Sequence, residues 1–145
     1  MHKCKIDNFL REYPQQQFPQ FRSLSYQECI VIKSRLMKNF SYNNNIDDLL
    51  KSFCHSENRC GNYEEDGISL IHNLLNINVK ETTIFINWGK FDDIDEIAAS
   101  DFLRYFDDIW YPVADDIDIF DKSCQWVMCI SHWSDIFMSK SKKYN

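Results

Sequence analysis

The residues able to do chemistry are unevenly spread along this chain. Residues 91–121 hold eleven carboxylates (Asp92, Asp93, Asp95, Glu96, Asp101, Asp107, Asp108, Asp115, Asp116, Asp118 and Asp121) against a single base, Arg104. That segment is net −10 in a chain of net −6, so the rest of the molecule carries net +4. Like charges this dense repel and cost folding stability, which a surface that only has to stay wet does not require. The cluster as a whole therefore points to a partner that neutralises it, with Phe91, Trp110, Tyr111 and Phe120 interleaved as apolar contacts. For any one carboxylate the plainer reading is a helix cap, a solvated loop or the wet face of a strand.

Metal chemistry is the sharper alternative. The run Asp116-x-Asp118-x-x-Asp121 has something of a calcium loop, but the turn glycine and the distal bidentate Glu are missing. A small metal-dependent hydrolase using Asp116, Asp118 and Asp121 is the competing function. A two-metal nuclease would also want positive groups for phosphate, and here there is only Arg104. Cys54-His55 with Cys60, and Cys124 and Cys129 with His132, both lack the Cys-x-x-Cys pairing that grips zinc. Cys29 and Cys129 fall in apolar patterns, where Cys acts as a small hydrophobe, and no spacing singles out a catalytic Cys–His pair. His72 and His132 lie amid apolar residues and read as packing groups, while His2 and His55 have no partner in view. No Gly-rich phosphate loop, Gly-x-Ser-x-Gly elbow or His-Glu-x-x-His motif occurs, so neither a metal nor a cofactor is expected.

The elements that must carry these residues can be read from periodicity. Ser25 and Glu28 stand at capping-box separation, and Cys29, Ile32, Leu36 and Phe40 share one face, predicting a helix over 26–39. A short helix over 5–13 precedes it, and Pro14 and Pro19 enforce an extended loop between the two. A turn over 42–45 leads to Asn45 as N-cap of a helix carrying Ile46, Leu49, Leu50 and Phe53. Residues 56–65 read as a loop, after which Asp66 caps a helix with Ile68, Ile71, Leu74 and Leu75 on one face. The period then changes. Residues 82–88 form a β-branched, aromatic strand that ends at Gly89. Ser100 caps a short helix through Phe102, Leu103 and Phe106 to Trp110, and Pro112 stops it. Residues 116–121 alternate as a half-buried strand, Lys122-Ser123 is its turn, and 125–132 return antiparallel. The expected fold is α+β: a helical N-terminal half packed on a small, mostly antiparallel sheet formed by the C-terminal half, with one helix between strands.

Composition bounds the rest. The 145 residues suit one domain spanning 1–145, and 44% hydrophobic with 3 Gly and 3 Pro excludes a disordered or collagen-like chain. An acidic balance disfavours nucleic acid as a direct partner and favours a cationic one. No apolar run approaches membrane-spanning length, no secretory pattern follows Met1, and the six cysteines read as reduced thiols, so a cytoplasmic location without a membrane partner is expected.

The segment Asp107-Asp108-Ile109-Trp110-Tyr111-Pro112-Val113-Ala114-Asp115-Asp116-Ile117-Asp118-Ile119-Phe120-Asp121, followed by Trp126-Val127-Met128-Cys129-Ile130-Ser131-His132, resembles the C-terminal part of small bacterial immunity proteins. These belong to polymorphic-toxin and contact-dependent growth inhibition systems. The shared pattern is a Trp-Tyr-Pro helix end, an Asp-Asp pair entering a strand, and an aromatic strand ending in Ile-x-His, over roughly a third of the chain. Family members commonly carry serines where Val113 and Ala114 stand, and the helical first half has no match to the pattern. The resemblance implies a non-enzymatic toxin inhibitor of the producer's cytosol, which binds a cognate toxin C-terminal domain, commonly a nuclease with a basic cleft. On that reading Asp92, Asp93, Asp95, Glu96, Asp115 and Asp116 supply charge contacts, and Trp110 and Tyr111 are the aromatic anchors.

Overall fold

A strand with apolar residues on alternate positions needs one cover, and a strand buried on both sides needs two. Residues 83–87 are of the second kind: Ile84, Phe85, Ile86 and Asn87 are all buried. The computed structural model describes residues 1–43, 45–78 and 82–144, so Asn44, inside the expected turn, lies outside it. In chain order the elements are α1 (Lys3–Glu12), β1 (Phe21–Ser23), α2 (Tyr26–Asn39), α3 (Ile46–Phe53), β2 (Arg59–Asn62), α4 (Tyr63–Asn78), β3 (Thr83–Asn87), β4 (Ile94–Ala98), α5 (Ala99–Arg104), α6 (Phe106–Ile109), β5 (Ile117–Phe120), β6 (Trp126–Ile130) and β7 (Asp135–Lys140). The strands form one antiparallel sheet in the order β1-β4-β3-β5-β6-β7-β2. The fold is α+β, with helices mainly in the first half and strands mainly in the second.

Each face of the sheet has its own core. Ile84, Ile86, Ile117, Ile119, Trp126, Met128 and Ile130 point to one side, where Ile71 and Leu75 of α4 and Phe102, Phe106 and Ile109 of α5 and α6 cover them. Phe85, Phe120, Val127, Cys129 and Phe137 point to the other, under Cys29, Ile32 and Leu36 of α2 and Leu49 and Phe53 of α3. The period of two along the strands thus produces three layers, helix–sheet–helix.

The helix over 26–39 has the expected capping box: Ser25 Oγ accepts from Glu28 N, and Glu28 Oε2 accepts from Ser25 N at 2.8 Å. Asn45 caps α3 through Asp47 N, also at 2.8 Å. Other expectations need correction. Asp66 does not cap the helix that follows it; its Oδ2 accepts from Asn62 N, and Asn62 Oδ1 in turn accepts from Glu64 N. Helical backbone instead begins at Tyr63, four residues before the expected first helical position, and is kinked at Gly67, whose φ of 65° a residue with a side chain rarely adopts. Ser100 is not a cap either, since α5 begins at Ala99 with no side-chain bond at its N-terminus.

The loop expected over 56–65 contains β2, which lacks apolar alternation and is recruited from outside by β7, with Arg59 bonded to Asp135 at 2.8 Å. Within the acidic segment, β4 passes unnoticed in the sequence because Asp and Glu are poor strand formers. β1 and β2 give the first half both edges of the sheet. No described helix is long and apolar enough to cross a membrane.

Candidate functional site

Strand order brings the loop 88–93, the turn 111–116 and the turn 131–134 to one end of the sheet. β3 pairs with β5 and β5 with β6, with Asn87 opposite Asp118 and Ile117 opposite Ile130. Asn87 organises the first loop: its Oδ1 accepts from Gly89 N and Phe91 N, and its Nδ2 donates to Gly89 O and to Asp118 Oδ2 at 2.8 Å. Phe91 is buried at φ 59°, and this fixes the exposed Asp92 and Asp93 after it. Asp93 is about half exposed and bonds His2 Nε2 at 3.3 Å.

The other two segments are tied together. Val113 N donates to His132 O at 2.9 Å. Asp116, exposed, accepts from both His132 N and Nδ1 at 2.8 Å, and the His132 ring lies 4.9 Å from that of Trp133. The turn 131–134 is closed by Ser134 N to Ser131 O at 2.8 Å, with Ser134 at φ 67°. Asn62 Nδ2 donates to Trp133 O, so the turn is braced from β2 as well. The outcome is a braced apolar knob, Trp133 72% and Val113 81% exposed, beside a free-facing carboxylate. Val113 sits at φ 71°, a conformation in which a β-branched residue is strained, and such strain collects at functional sites.

The expected contact residues divide sharply. Asp92, Asp93 and Asp116 share this exposed end of the sheet. Asp95 is fully buried and therefore not a surface contact; it pairs with the Met1 ammonium and accepts from Trp88 Nε1 at 2.8 Å and Ser23 Oγ at 2.6 Å. Trp110 is 1% exposed, stacked on Phe106 at 5.5 Å, with Nε1 donating to Asp115 O, so it is core and not an anchor. Asp115 is nearly covered, accepting from the buried Lys5 and from Tyr111 N, and the Lys5 ammonium lies 3.9 Å from the centre of the half-buried Tyr111 ring. These two residues lock α1 onto the turn. Glu96 faces α2 and is already neutralised: burial pushes its carboxyl up, but bonds from Arg22 and the charge of Lys122 outweigh that and hold it below its usual value.

Below this rim, between α3 and the sheet, lies a cleft of about 470 Å³ walled in part by Leu50, Trp88 and Ile117. Lys51, Cys54, Asp116, Asp118 and Cys129 also line it. Burial pushes the Asp118 carboxyl up to about 6. The hydrolase triad does not converge, because Asp121 is buried and turned to Ser123, accepting from its N at 2.9 Å and from its Oγ. Among the described residues no three His, Cys, Asp or Glu side chains form a metal-binding group.

Sequence reasoning also missed three things here. Trp133 was readable as a lone aromatic in a polar turn, Ser131-His132-Trp133-Ser134. His132 is a partner of Asp116 and not a packing group, and His72 is exposed and bonded to Asn76. The placing of Cys54 and Cys129 on one cleft depends on α3 packing over the sheet, for which no local pattern exists. Compared with models of known protein families the chain matches none, and searches of curated proteins and of solved structures find no match.

Proposed function

We propose that this protein is a bacterial immunity protein that binds and neutralises a cognate toxin C-terminal domain, with no catalysis of its own. The observation that carries the reading is the exposed end of the sheet, where Asp92, Asp93 and Asp116 face solvent, Asp116 lines a cleft, and the braced Trp133–Val113 knob stands beside Asp116. Such a surface suits a protein with a basic cleft. Carboxylates steer a cationic partner to encounter and exclude acidic ones, while a rigid, exposed Trp supplies the contact that holds it. A nuclease toxin, whose active site must attract phosphate, is the partner class this chemistry favours. The proposal follows the resemblance of residues 107–132 to the immunity family, and places the protein in the cytosol of the producing cell.

The test is co-expression with the C-terminal domain encoded by the adjacent toxin gene. A stable 1:1 complex and survival of cells that the domain alone kills are expected. No complex and no rescue would remove the proposal.

A further inference from the structure

Three covered or partly covered carboxylates of this fold carry a cation of their own: Asp95 has the Met1 ammonium, Asp115 has Lys5, and Glu96 has Arg22 and Lys122. Among the described residues no cation pairs with Asp118 or Asp121. Asp121 is turned inward to Ser123, but Asp118, partly covered, lines the cleft of about 470 Å³ between α3 and the sheet. Both of its hydrogen-bond donors are neutral: Cys129 Sγ donates to Oδ1 at 2.7 Å and Asn87 Nδ2 to Oδ2 at 2.8 Å. A carboxylate offers about four lone-pair positions, so each oxygen keeps acceptor capacity. Asn87 is itself fully buried and tied to Gly89 and Phe91, which fixes the carboxylate in place.

We propose that this cleft receives a guanidinium group, the head of an arginine side chain on the toxin domain, with Asp118 as the carboxylate that holds it and Asp116 as the charge at the mouth. The identity of the occupant rests on the immunity reading; the preference of the cleft for this group does not. Leu50, Trp88, Ile117 and Ile130 give the cleft apolar walls, and its volume lies within the roughly 300–1,000 Å³ of clefts that hold ligands. A guanidinium is planar and weakly hydrated, so it tolerates such walls better than an ammonium, and its paired N–H groups match the two oxygens of a carboxylate. The carboxylates lining the cleft, Asp116 and Asp118, outnumber the single Lys51, which disfavours an anion. Burial with no cation at hand pushes the Asp118 carboxyl up to about 6, the state that an incoming positive charge relieves. Asp116 belongs both to the cleft and to the exposed sheet end beside Trp133, so an arginine seated here continues the same contact surface.

The experiment titrates the full chain with n-propylguanidine, an arginine side chain without its backbone, and follows the Asp118 carboxyl by carbon NMR. Saturable binding that moves the Asp118 titration midpoint downward is expected, with affinity lost at least about tenfold in Asp118→Asn. Asp101→Asn changes the net charge equally at the far end of β4 and should leave the affinity within about twofold, while Lys51→Gln should raise it. An unmoved Asp118 midpoint, or equal affinity in Asp118→Asn and the wild type, would overturn the proposal. With the toxin domain itself, Asp118→Asn should again weaken binding at least about tenfold. A complex that forms equally well with Asp118→Asn would overturn the arginine assignment and leave the immunity reading standing; no complex with the wild type would remove the immunity reading, and the toxin arginine with it.

Discussion

Asp93 and Asp95 are separated by one residue in the same acidic run, yet one is half exposed on His2 and the other is fully buried against the Met1 ammonium, Ser23 and Trp88. The same division runs through Asp116 and Asp115: Asp116 faces solvent beside Trp133, Asp115 holds Lys5. Density of charge along the chain therefore did not say which carboxylates serve a partner. Asp95, Glu96, Asp107, Asp115, Asp118 and Asp121 accept bonds within the fold, while Asp92, Asp93 and Asp116 stand at the exposed sheet end, the last two on a histidine each.

This contrast can be broken by substitution. Asp95→Ala strips the partner from a buried cation and from the Trp88 and Ser23 donors, and should cost about 3–5 kcal/mol of stability in urea unfolding. A loss below about 1 kcal/mol would place Asp95 with the surface group after all. Trp133→Ala is the opposite case. It should weaken toxin-domain binding by about 2 kcal/mol or more by calorimetry, while the unfolding midpoint stays put.

Asp118 lies between the two classes, and its pH dependence sharpens the distinction. Its carboxyl titrates near 6 in the folded state against an ordinary 3.8, so the folded protein holds the proton more tightly than the unfolded chain. Stability is therefore lost as pH rises from about 4 through 6, and little of the penalty is felt below that window. Asp118→Asn should be about 1–2 kcal/mol more stable than the wild type at pH 8, less than the full shift implies because bonds to Asn87 and Cys129 weaken, and the gap should close by pH 4. A constant gap across that range would mean the carboxylate is not desolvated.

The smallest effect is expected at Val113. Glycine relaxes the left-handed backbone at that position and should stabilise the fold by about 0.5–1 kcal/mol in urea, while lowering affinity for the toxin domain. Stabilisation with unchanged affinity would remove Val113 from the docking surface and leave its strain without a role.

Much of the fold could be read from local signals. α2 follows from Ser25, Glu28 and one apolar stripe, β5 from alternation, β3 from its β-branched and aromatic run, and β6 as the antiparallel return after the Lys122-Ser123 turn, because those patterns are set by the neighbours each residue must face. β2 and β4 escaped for the reason opposite to each other. β2 is held by its partner β7, with Arg59 on Asp135, and not by apolar side chains of its own; β4 carries Asp95 and Glu96, which are accommodated only because Met1, Trp88, Arg22 and Lys122 arrive from elsewhere. At the site, the acidic segment was recognised but Trp110 was preferred to Trp133. Both are aromatics near a turn, and only the packing of Phe102, Phe106 and Tyr63 decides that the first is inside.

The most direct test of the proposed function is a growth-rescue assay in cells expressing the C-terminal toxin domain that the proposal requires, comparing the wild type with Asp92→Lys/Asp93→Lys/Asp116→Lys/Trp133→Ala at matched thermal stability and expression. Rescue by the wild type and its loss in the variant are predicted. Equal rescue by both would contradict the assignment of toxin binding to this end of the sheet.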